Sequence, residues 1–493
     1  GGPDRPRPGF TLGSNAASAP ACAAELDQAA LVAAATSELG DLPVRSPRVP
    51  RPSGRIVVVG GGIVGLTVAL LLGETGRREV LLLDAAPAGR TDPAHRAATF
   101  RGADAHHLSL TETLPHATAS RREALHRPLP EGGWLTRDPR SLDPAEQAWA
   151  AAFAAVADRP GFRALAADLA VGLNRFGLAG WEALLRRRPD AFTTLRVDRR
   201  PSRLYLSAAE LAAGLRLQSR VNAAAHELDA AEVHRRWPAL GPEATGGGVV
   251  EVDGMTVNAH AFAGAVRDLA AASGVRFRDS SPVRRLHARP GGVDVELADR
   301  STLAAASVVV AVDGPDLADL LGADARSAGT VQQVLGVFVT IRNPGLHHPL
   351  KVHAPEPLGV VNLTLSPDGI RLHAAGGFGF LGLARPRPGE PAAEQLAKAL
   401  EDLLGRLFPG PLTVLERRYS EYPMTPDGLP VVEAVEVFDG RVVVAGGTNA
   451  GGTVQAPVLA RLVELLLDGE PGLLHQALHP DRGTVRGFAG RAQ

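Results

Sequence analysis

Short apolar runs alternate with longer segments of helical spacing along the chain. RIVVVG (55–60) is a β-branched run that ends in glycine, and EVLLLD (79–84) is a second apolar run that ends in an acid, so each predicts a buried strand. Between them, IVGLTVALLLGETG (63–76) has helical spacing and a terminal glycine. Together the three segments predict a βαβ unit.

Beyond this unit the pattern changes several times between helical and extended. Residues 144–240 have mostly helical spacing, strand signals return near residue 249, and residues 331–377 alternate as strands do. A helix at 392–408, the strand RVVVAGG and the apolar helix APVLARLVELLLDG follow. Residues 1–54 contain an Ala-rich segment, predicted to be one helix at about 16–39, and a Pro-rich extended linker. The 493 residues exceed one ordinary core, so we expect an α/β protein of two domains.

Glycines stand at the start of the first predicted helix in the order G-x-G-x-x-G. Gly60 suits a tight turn, Gly62 lets the backbone approach a pyrophosphate, and Gly65 allows the helix to pack closely on the sheet. Asp84 ends the second strand, where a carboxylate accepts hydrogen bonds from ribose hydroxyls. Glycines also cluster in ordinary turns, but the agreement of strand, helix and acid favours a dinucleotide site.

A second glycine-rich helix start lies near the end of the chain, in TNAGGTVQAP (448–457). Gly451, Gly452 and Thr453 can direct backbone N–H groups towards a ligand, and the positive end of the helix stabilises an anionic reduced flavin ring. An ordinary helix cap explains one of these glycines more readily than all of them. This element therefore favours FAD over NAD, whose enzymes need no second element of this kind.

Composition narrows the possible functions further. The 52 Lys or Arg and 53 Asp or Glu residues give a net charge of -1, which provides no basic field for nucleic acid or an anionic membrane. The apolar runs are shorter than the ~20 residues of a membrane-spanning helix. Cys22 is the only cysteine, which excludes disulfides and cysteine zinc sites, and we expect a cytoplasmic protein. Lys351 and Lys398 are the only lysines.

Three segments, GGGIVG with Asp84, MTPDGLPVV (424–432) and AGGTNAGGTVQAP (445–457), resemble the FAD-dependent D-amino acid oxidase, glycine oxidase and sarcosine oxidase family over about residues 55–475. The resemblance implies an α/β fold with a Rossmann-type, GR2-like FAD-binding domain and a second α+β substrate domain built on an antiparallel sheet. The implied FAD-binding pieces are 55–115, 245–330 and 415–475, and the substrate pieces are 116–244 and 331–414. Residues 1–54 are then an extension and linker, and 476–493 a tail.

The resemblance also implies which residues contact FAD. Val283 corresponds to a strand residue with backbone contacts to adenine, and the loop at 98–101 corresponds to one that touches the flavin. Ser420 stands where sarcosine oxidases attach FAD through cysteine, so we expect noncovalent FAD. The full predicted set is Gly60, Gly62, Ile63, Val64, Gly65, Asp84, Ala85, Thr99, Arg101, Val283, Gly447, Asn449, Gly451, Gly452 and Thr453. Asn449 either touches a ligand or only stabilises its turn in a left-handed conformation.

Candidate catalytic residues follow from departures from the family pattern. Tyr422 stands where glycine oxidases carry the arginine that binds the substrate carboxylate, and it is either a site phenol or a packing aromatic. Arg371 and His373 lie near the position of the sarcosine oxidase lysine that promotes oxygen reduction, and neither lysine of this chain falls there. They face the flavin, or one or both of them face solvent. His106 is a further candidate for the substrate side, and no metal site is predicted.

These observations predict a FAD-dependent oxidase of an amine or a modified, N-substituted amino acid. Hydride leaves the carbon next to nitrogen for flavin N5, and O2 reoxidises the flavin to give H2O2. One alternative is an amine dehydrogenase with another electron acceptor, and a second is a noncatalytic FAD-binding protein. A small-molecule substrate and O2 are the only partners expected. The sequence leaves open the substrate, the oligomeric state and the role of residues 1–54.

Overall fold

The computed structural model describes residues 30–40, 42, 54–76, 78–86, 106–114, 116–193, 195, 197–223, 225–366, 368–385 and 390–482. The helices are α1 (30–40), α2 (Ile63–Glu74), α3 (Ala119–Leu125), α4 (Pro144–Ala157), α5 (Pro160–Arg187), α6 (Ala208–Arg220), α7 (Ala230–Arg236), α8 (Ala259–Ala272), α9 (Gly314–Leu321), α10 (Ser327–Thr330), α11 (Pro391–Leu407), α12 (Gly452–Leu467) and α13 (Leu473–Leu478). The strands are β1 (Ile56–Val59), β2 (Val80–Leu83), β3 (His106–Ser109), β4 (Val197–Arg199), β5 (Ser202–Tyr205), β6 (Ala225–Leu228), β7 (Gly248–Val252), β8 (Gly254–Val257), β9 (Arg276–Arg278), β10 (Val283–Arg289), β11 (Gly292–Leu297), β12 (Thr302–Ala305), β13 (Ser307–Val310), β14 (Gln332–Arg342), β15 (Leu350–His353), β16 (Val360–Leu365), β17 (Arg371–Gly382), β18 (Val414–Met424), β19 (Val431–Ala434) and β20 (Val442–Gly446).

A six-stranded sheet carries the predicted βαβ unit. Its order is β19-β20-β13-β1-β2-β9, and all neighbours are parallel except the antiparallel edge strand β19. β1 and β2 are buried along their whole length, as their continuous apolar runs predict. Helices α2, α8 and α12 pack together on one face of this sheet. The carboxyl ends of its parallel strands meet at one edge, which is where such sheets bind ligands.

An eight-stranded sheet, ordered β18-β14-β17-β16-β15-β5-β7-β6, forms the second layer. All of its neighbours are antiparallel except the parallel pair β15 and β5. One cross-strand row contains Arg203, Lys351, Asn362, Ala375 and Phe338, so their side chains share one face. This antiparallel sheet, together with the parallel one, confirms the predicted fold class.

Two predicted domain boundaries need correction. Strand β18 was expected within the FAD-binding piece that begins at residue 415, but it pairs with β14 at the edge of the eight-stranded sheet. Strand β7 was expected in the piece 245–330, but it pairs with β5 and β6 of the same sheet. Strand partners depend on contacts between distant segments, which local periodicity does not record.

Helix α1 packs on the body of the protein. Val32, Ala35 and Leu39 are buried in the same core as α2 and α12. A carboxylate oxygen of Glu38 accepts a hydrogen bond of 2.9 Å from the backbone N–H of Leu474. This segment was predicted to be one helix from about residue 16 to residue 39, and its residues 16–29 lie outside the described residues. Among the helices described, none has the length and apolar character to cross a bilayer.

Candidate active site

A cavity of about 1110 Å³ lies between the two large sheets. Residues after β1, β2 and β13 line one side, and residues of β14, β15, β17 and β18 line the other. Ligand pockets usually measure ~300–1,000 Å³, so this cavity has room for a dinucleotide and a small substrate.

The turn from β1 into α2 lets a ligand approach the backbone closely. Gly60 has a φ of +107°, and a Cβ there would lie 2.5 Å from the carbonyl oxygen of Ala311. A Cβ at Gly65 would lie 2.0 Å from the carbonyl oxygen of Gly60, so the helix packs directly on the turn. A Cβ at Gly62, by contrast, would meet nothing within 4 Å. Open space in front of Gly62, at a helix N-terminus without acidic side chains in its first turn, suits a phosphate group.

Asp84 follows β2 and lines the cavity beside this turn. One of its carboxylate oxygens accepts a hydrogen bond of 3.0 Å from the backbone N–H of Ala86. Burial raises the pKa of Asp84, and the N–H of Ala86 opposes that rise. The carboxylate is therefore fixed at the position where a ribose would follow the phosphates.

The start of α12 forms a second cradle. Gly447, Asn449 and Ala450 all have positive φ angles, of 63°, 52° and 65°, and Ala450 carries a side chain in this strained region. Asn449, Ala450, Gly452 and Thr453 line the cavity, and the first turn of α12 contains no acidic residue. The backbone N–H groups and the positive end of α12 thus face the cavity.

A buried polar network holds α12 in place. Thr113 donates to the amide oxygen of Asn174 at 3.0 Å, and the Gln455 amide donates to the Thr113 hydroxyl at 2.9 Å. A Cβ at Gly451 would lie 1.8 Å from the Thr113 side chain. Gly451 therefore permits the close contact that orients the helix, although it does not itself line the cavity.

A buried ion pair lies in the opposite wall. Lys351 of β15 pairs with Glu112, and both residues line the cavity. Behind them Arg203, whose side chain is 3% exposed, lies 3.7 Å from Glu112 and donates to Ser109 at 2.6 Å. Burial raises the pKa of Glu112, but the charges of Lys351 and Arg203 outweigh it and lower the value to about 2. Burial lowers the pKa of Lys351, and Glu112 opposes this.

Aromatic rings form the wall beside this pair. Tyr422 donates a hydrogen bond of 3.0 Å to the carbonyl oxygen of Gly377, and its ring meets Phe378 edge to face at 5.9 Å. Phe378 stacks on Trp134, and Arg121 lies over the Phe378 ring at 4.8 Å. Burial raises the pKa of Tyr422 well above its usual value, so the phenol remains protonated. Tyr422 packs against Phe378 and also lines the cavity, and its role as a site phenol stays a prediction.

The family model described as DAO, FAD dependent oxidoreductase, matches residues 55–465. The chain belongs to this family of FAD-dependent oxidoreductases. A D-amino acid dehydrogenase of Rhodopseudomonas palustris (strain HaA2) is 26% identical over 444 residues, which is 87% of this chain and 97% of the relative. These matches confirm the resemblance that the three glycine-containing motifs indicate.

Solved structures show the same fold. Glycine oxidase from Geobacillus kaustophilus superimposes with a TM-score of 0.57 at 18% identity, over 85% of this chain and 96% of that chain. L-proline dehydrogenase from P. horikoshii gives a TM-score of 0.59 at 15% identity, over 89% of this chain and 99% of that chain.

The cavity fits the FAD of this family. The open space at Gly62, the carboxylate of Asp84 and the start of α12 lie along one cavity, where they would hold the phosphates, the ribose and the flavin of FAD. Of the predicted cofactor residues, ten line the cavity: Gly60, Gly62, Ile63, Val64, Asp84, Ala85, Val283, Asn449, Gly452 and Thr453. Gly65, Gly447 and Gly451 do not line the cavity, but each allows the close backbone packing that forms one of the two turns. Thr99 and Arg101 lie outside the described residues.

The interpretation of Arg371 and His373 as flavin-facing cations needs correction. Arg371 is exposed at the start of β17, and His373 hydrogen-bonds Thr340 at 3.1 Å, so neither lines the cavity. Ala375, on the same face of β17, does line it. Four residues of strand, or about 13 Å, separate Arg371 from Ala375. The exposure of Arg371 agrees with the alternative interpretation, in which it faces solvent. The backbone of His106 lies in β3, and its side chain is not among the described parts of the chain.

Sequence reasoning placed no lysine at the site, yet Lys351 lines it. The signal was present, since one of only two lysines stands within the apolar strand LKVH. Glu112 gave no local signal, because its role depends on contact with Lys351. Asp313 also lines the cavity and accepts a 2.7 Å hydrogen bond from the N–H of Gly447. Its position after the parallel strand β13 is a signal that sequence reasoning missed.

Proposed function

We propose that the chain oxidises an amine or a modified, N-substituted amino acid and passes the electrons to O2. The residues that line the two glycine turns would hold FAD noncovalently, and the cofactor would supply the redox chemistry: it would take a hydride from the carbon next to nitrogen and pass two electrons to O2, which with two protons gives H2O2. The imine that remains is hydrolysed by water. One observation carries the proposal: the buried Lys351–Glu112 pair faces the two glycine cradles across a single cavity.

The chain's own residues support this chemistry by binding and orientation. A carboxylate held ionised at Glu112 accepts a hydrogen bond from an N–H of the substrate and so orients the amine in the cavity. Tyr422 and Phe378 exclude water from the adjacent wall and limit the poses of the substrate. The positive end of α12 stabilises the negative charge of the reduced flavin ring.

One observation favours the dehydrogenase alternative. The relative from Rhodopseudomonas palustris that is 26% identical is named a D-amino acid dehydrogenase. The two functions differ only in the electron acceptor. Purified protein should carry yellow flavin that denaturation releases as free FAD. With a reducing amine under air, an oxidase forms about one H2O2 for each amine consumed.

A dehydrogenase instead reacts slowly with O2 and turns over only when a quinone or an artificial dye is added. Catalase and heat-treated protein serve as controls for the peroxide signal. Flavin that remains attached to the denatured chain contradicts noncovalent binding, and a colourless protein that rebinds no FAD contradicts the whole proposal.

A further inference from the structure

We propose that Lys351 binds a carboxylate of the substrate, which makes the substrate an amino acid and not a simple amine. This inference rests on the proposed function and names its substrate class.

The buried cluster around Lys351 carries an excess of positive charge. Lys351 and Arg203 share one carboxylate, that of Glu112, among the residues the structure describes. Their side chains are 7%, 3% and 9% exposed, respectively, so water screens the excess positive charge poorly. The cluster keeps its neighbour His353 neutral, because burial and then the charges of Arg203 and Lys351 lower the pKa of His353 well below its usual value. A bound anion completes the charge balance.

The two carboxylate oxygens of Glu112 have different partners. One carboxylate oxygen of Glu112 faces Lys351, and the other accepts from Ser109 at 3.0 Å and lies 3.7 Å from Arg203. Arg203 does not line the cavity, and its buried Nε has no hydrogen-bond partner among the described residues. Glu112 therefore remains paired with Arg203 when Lys351 turns to a ligand. Lys351 is the cation that a substrate can reach.

Residues of β16 and β17 form the wall of the cavity in front of Lys351. Asn362 lies directly opposite Lys351 in the strand register, and Ala375 follows it in the same row. Gly376 and Gly377 come next along β17, and all four of these neighbours line the cavity. The short side chain of Ala375 leaves room for a ligand beside the ammonium group, whereas Val361 and Leu396 occupy the space that a Cβ of Gly376 or Gly377 would enter.

Benzoate and benzamide provide the test, since they have nearly the same shape and differ in charge. Their binding to the flavin-containing protein is measured by calorimetry and by perturbation of the flavin spectrum. We expect wild type to bind benzoate at least about 10-fold more tightly than benzamide, the size of one charge-assisted hydrogen bond. In Lys351→Met this preference should fall to about one, and Lys351→Arg should retain it.

The matched control is Lys398→Met, because Lys398 is the other lysine and lies exposed in α11, paired with Asp402. Lys351→Met leaves Glu112 paired with Arg203, so the variant keeps a balanced buried pair and should fold with FAD bound. Equal binding of the two probes to wild type, or no binding of benzoate, overturns the proposal. An unchanged preference in Lys351→Met also overturns it and leaves Lys351 a structural role.

The test does not depend on turnover. If no amine reduces the flavin, the proposed function fails, while the two titrations still report whether an anion binds at Lys351. If amines reduce the flavin and the charge preference is absent, only the carboxylate subsite is wrong.

Discussion

The amide oxygen of Asn449 accepts a hydrogen bond of 2.8 Å from the backbone N–H of Thr425. The amide nitrogen of Asn449 donates to the carbonyl oxygen of Gly447 at 2.7 Å. One side chain thus joins the MTPDG segment to the turn before α12, and these were two of the three motifs that indicated the family. Asn449 adopts the left-handed conformation that its turn requires and also lines the cavity, and contact with a ligand stays a prediction.

Asn449→Ala should lower the free energy of unfolding by about 2–4 kcal/mol, because it removes buried hydrogen bonds and places alanine at positive φ. Chemical denaturation and the fraction of FAD retained after gel filtration measure the effect. Asn222→Ala is the matched control, because Asn222 has a φ of 51° but is exposed. The control should lose only about 1 kcal/mol. Equal losses in both variants would show that backbone conformation alone accounts for the effect.

Two glycines of the first turn should respond differently to substitution. Gly62→Val fills open space in front of the turn, so the apoprotein should keep its stability while FAD binds at least about 10-fold more weakly. Gly65→Ala forces a Cβ against the carbonyl oxygen of Gly60 and should lower stability by about 1–3 kcal/mol. FAD titration and thermal unfolding of the apoproteins separate the two effects.

Gly264→Ala is the control for adding a methyl group to a helix glycine. Gly264 lies in α8, and a Cβ there would meet nothing within 4 Å, so the change should stabilise by about 0.5–1 kcal/mol. Tight FAD binding by Gly62→Val would show that the phosphates do not lie against this turn.

Asp313 should make stability depend on pH. Burial raises its pKa to about 6, and the N–H of Gly447 opposes that rise. The folded protein therefore holds this proton to about pH 6, whereas the unfolded chain releases it near the ordinary value of 3.8. The stabilisation is complete below that ordinary value and is lost as the pH rises through 6, by up to about 3 kcal/mol.

Asp313→Asn removes this titration, so its stability relative to wild type should increase from pH 4 to pH 7, on the order of the same 3 kcal/mol. Urea denaturation of the two apoproteins at each pH gives the difference and cancels the groups they share. A difference that stays constant over this interval would mean that Asp313 titrates normally.

The sequence predicted the parts of the site that depend on neighbouring residues. Gly60, Gly62 and Gly65 lie in one turn, and their spacing between a strand and a helix is sufficient to indicate a dinucleotide cradle. Strand periodicity likewise placed Arg371 and His373 on one face of β17, which their alternating positions in the strand show. These inferences need no knowledge of which strands pair.

Sequence reasoning failed where distant segments meet. Lys351 contacts Glu112 across 239 residues, and this pair exists only because β15 lies between β5 and β16 in the eight-stranded sheet. The position of Arg371 along its strand was wrong for the same reason, since the depth of the cavity depends on where the two sheets approach each other. Neither relationship leaves a periodic signal in the sequence.

The central claim is that FAD in this cavity takes electrons from an amino acid or amine. Adding such compounds to the purified flavoprotein under anaerobic conditions tests it most directly. Our account predicts that at least one secondary or N-substituted amino acid bleaches the main visible flavin band, and that admitted air restores it. Lys351→Met should need at least about 10-fold more of that amino acid for half-bleaching. A flavin that dithionite reduces but no amino acid or amine does would contradict the account.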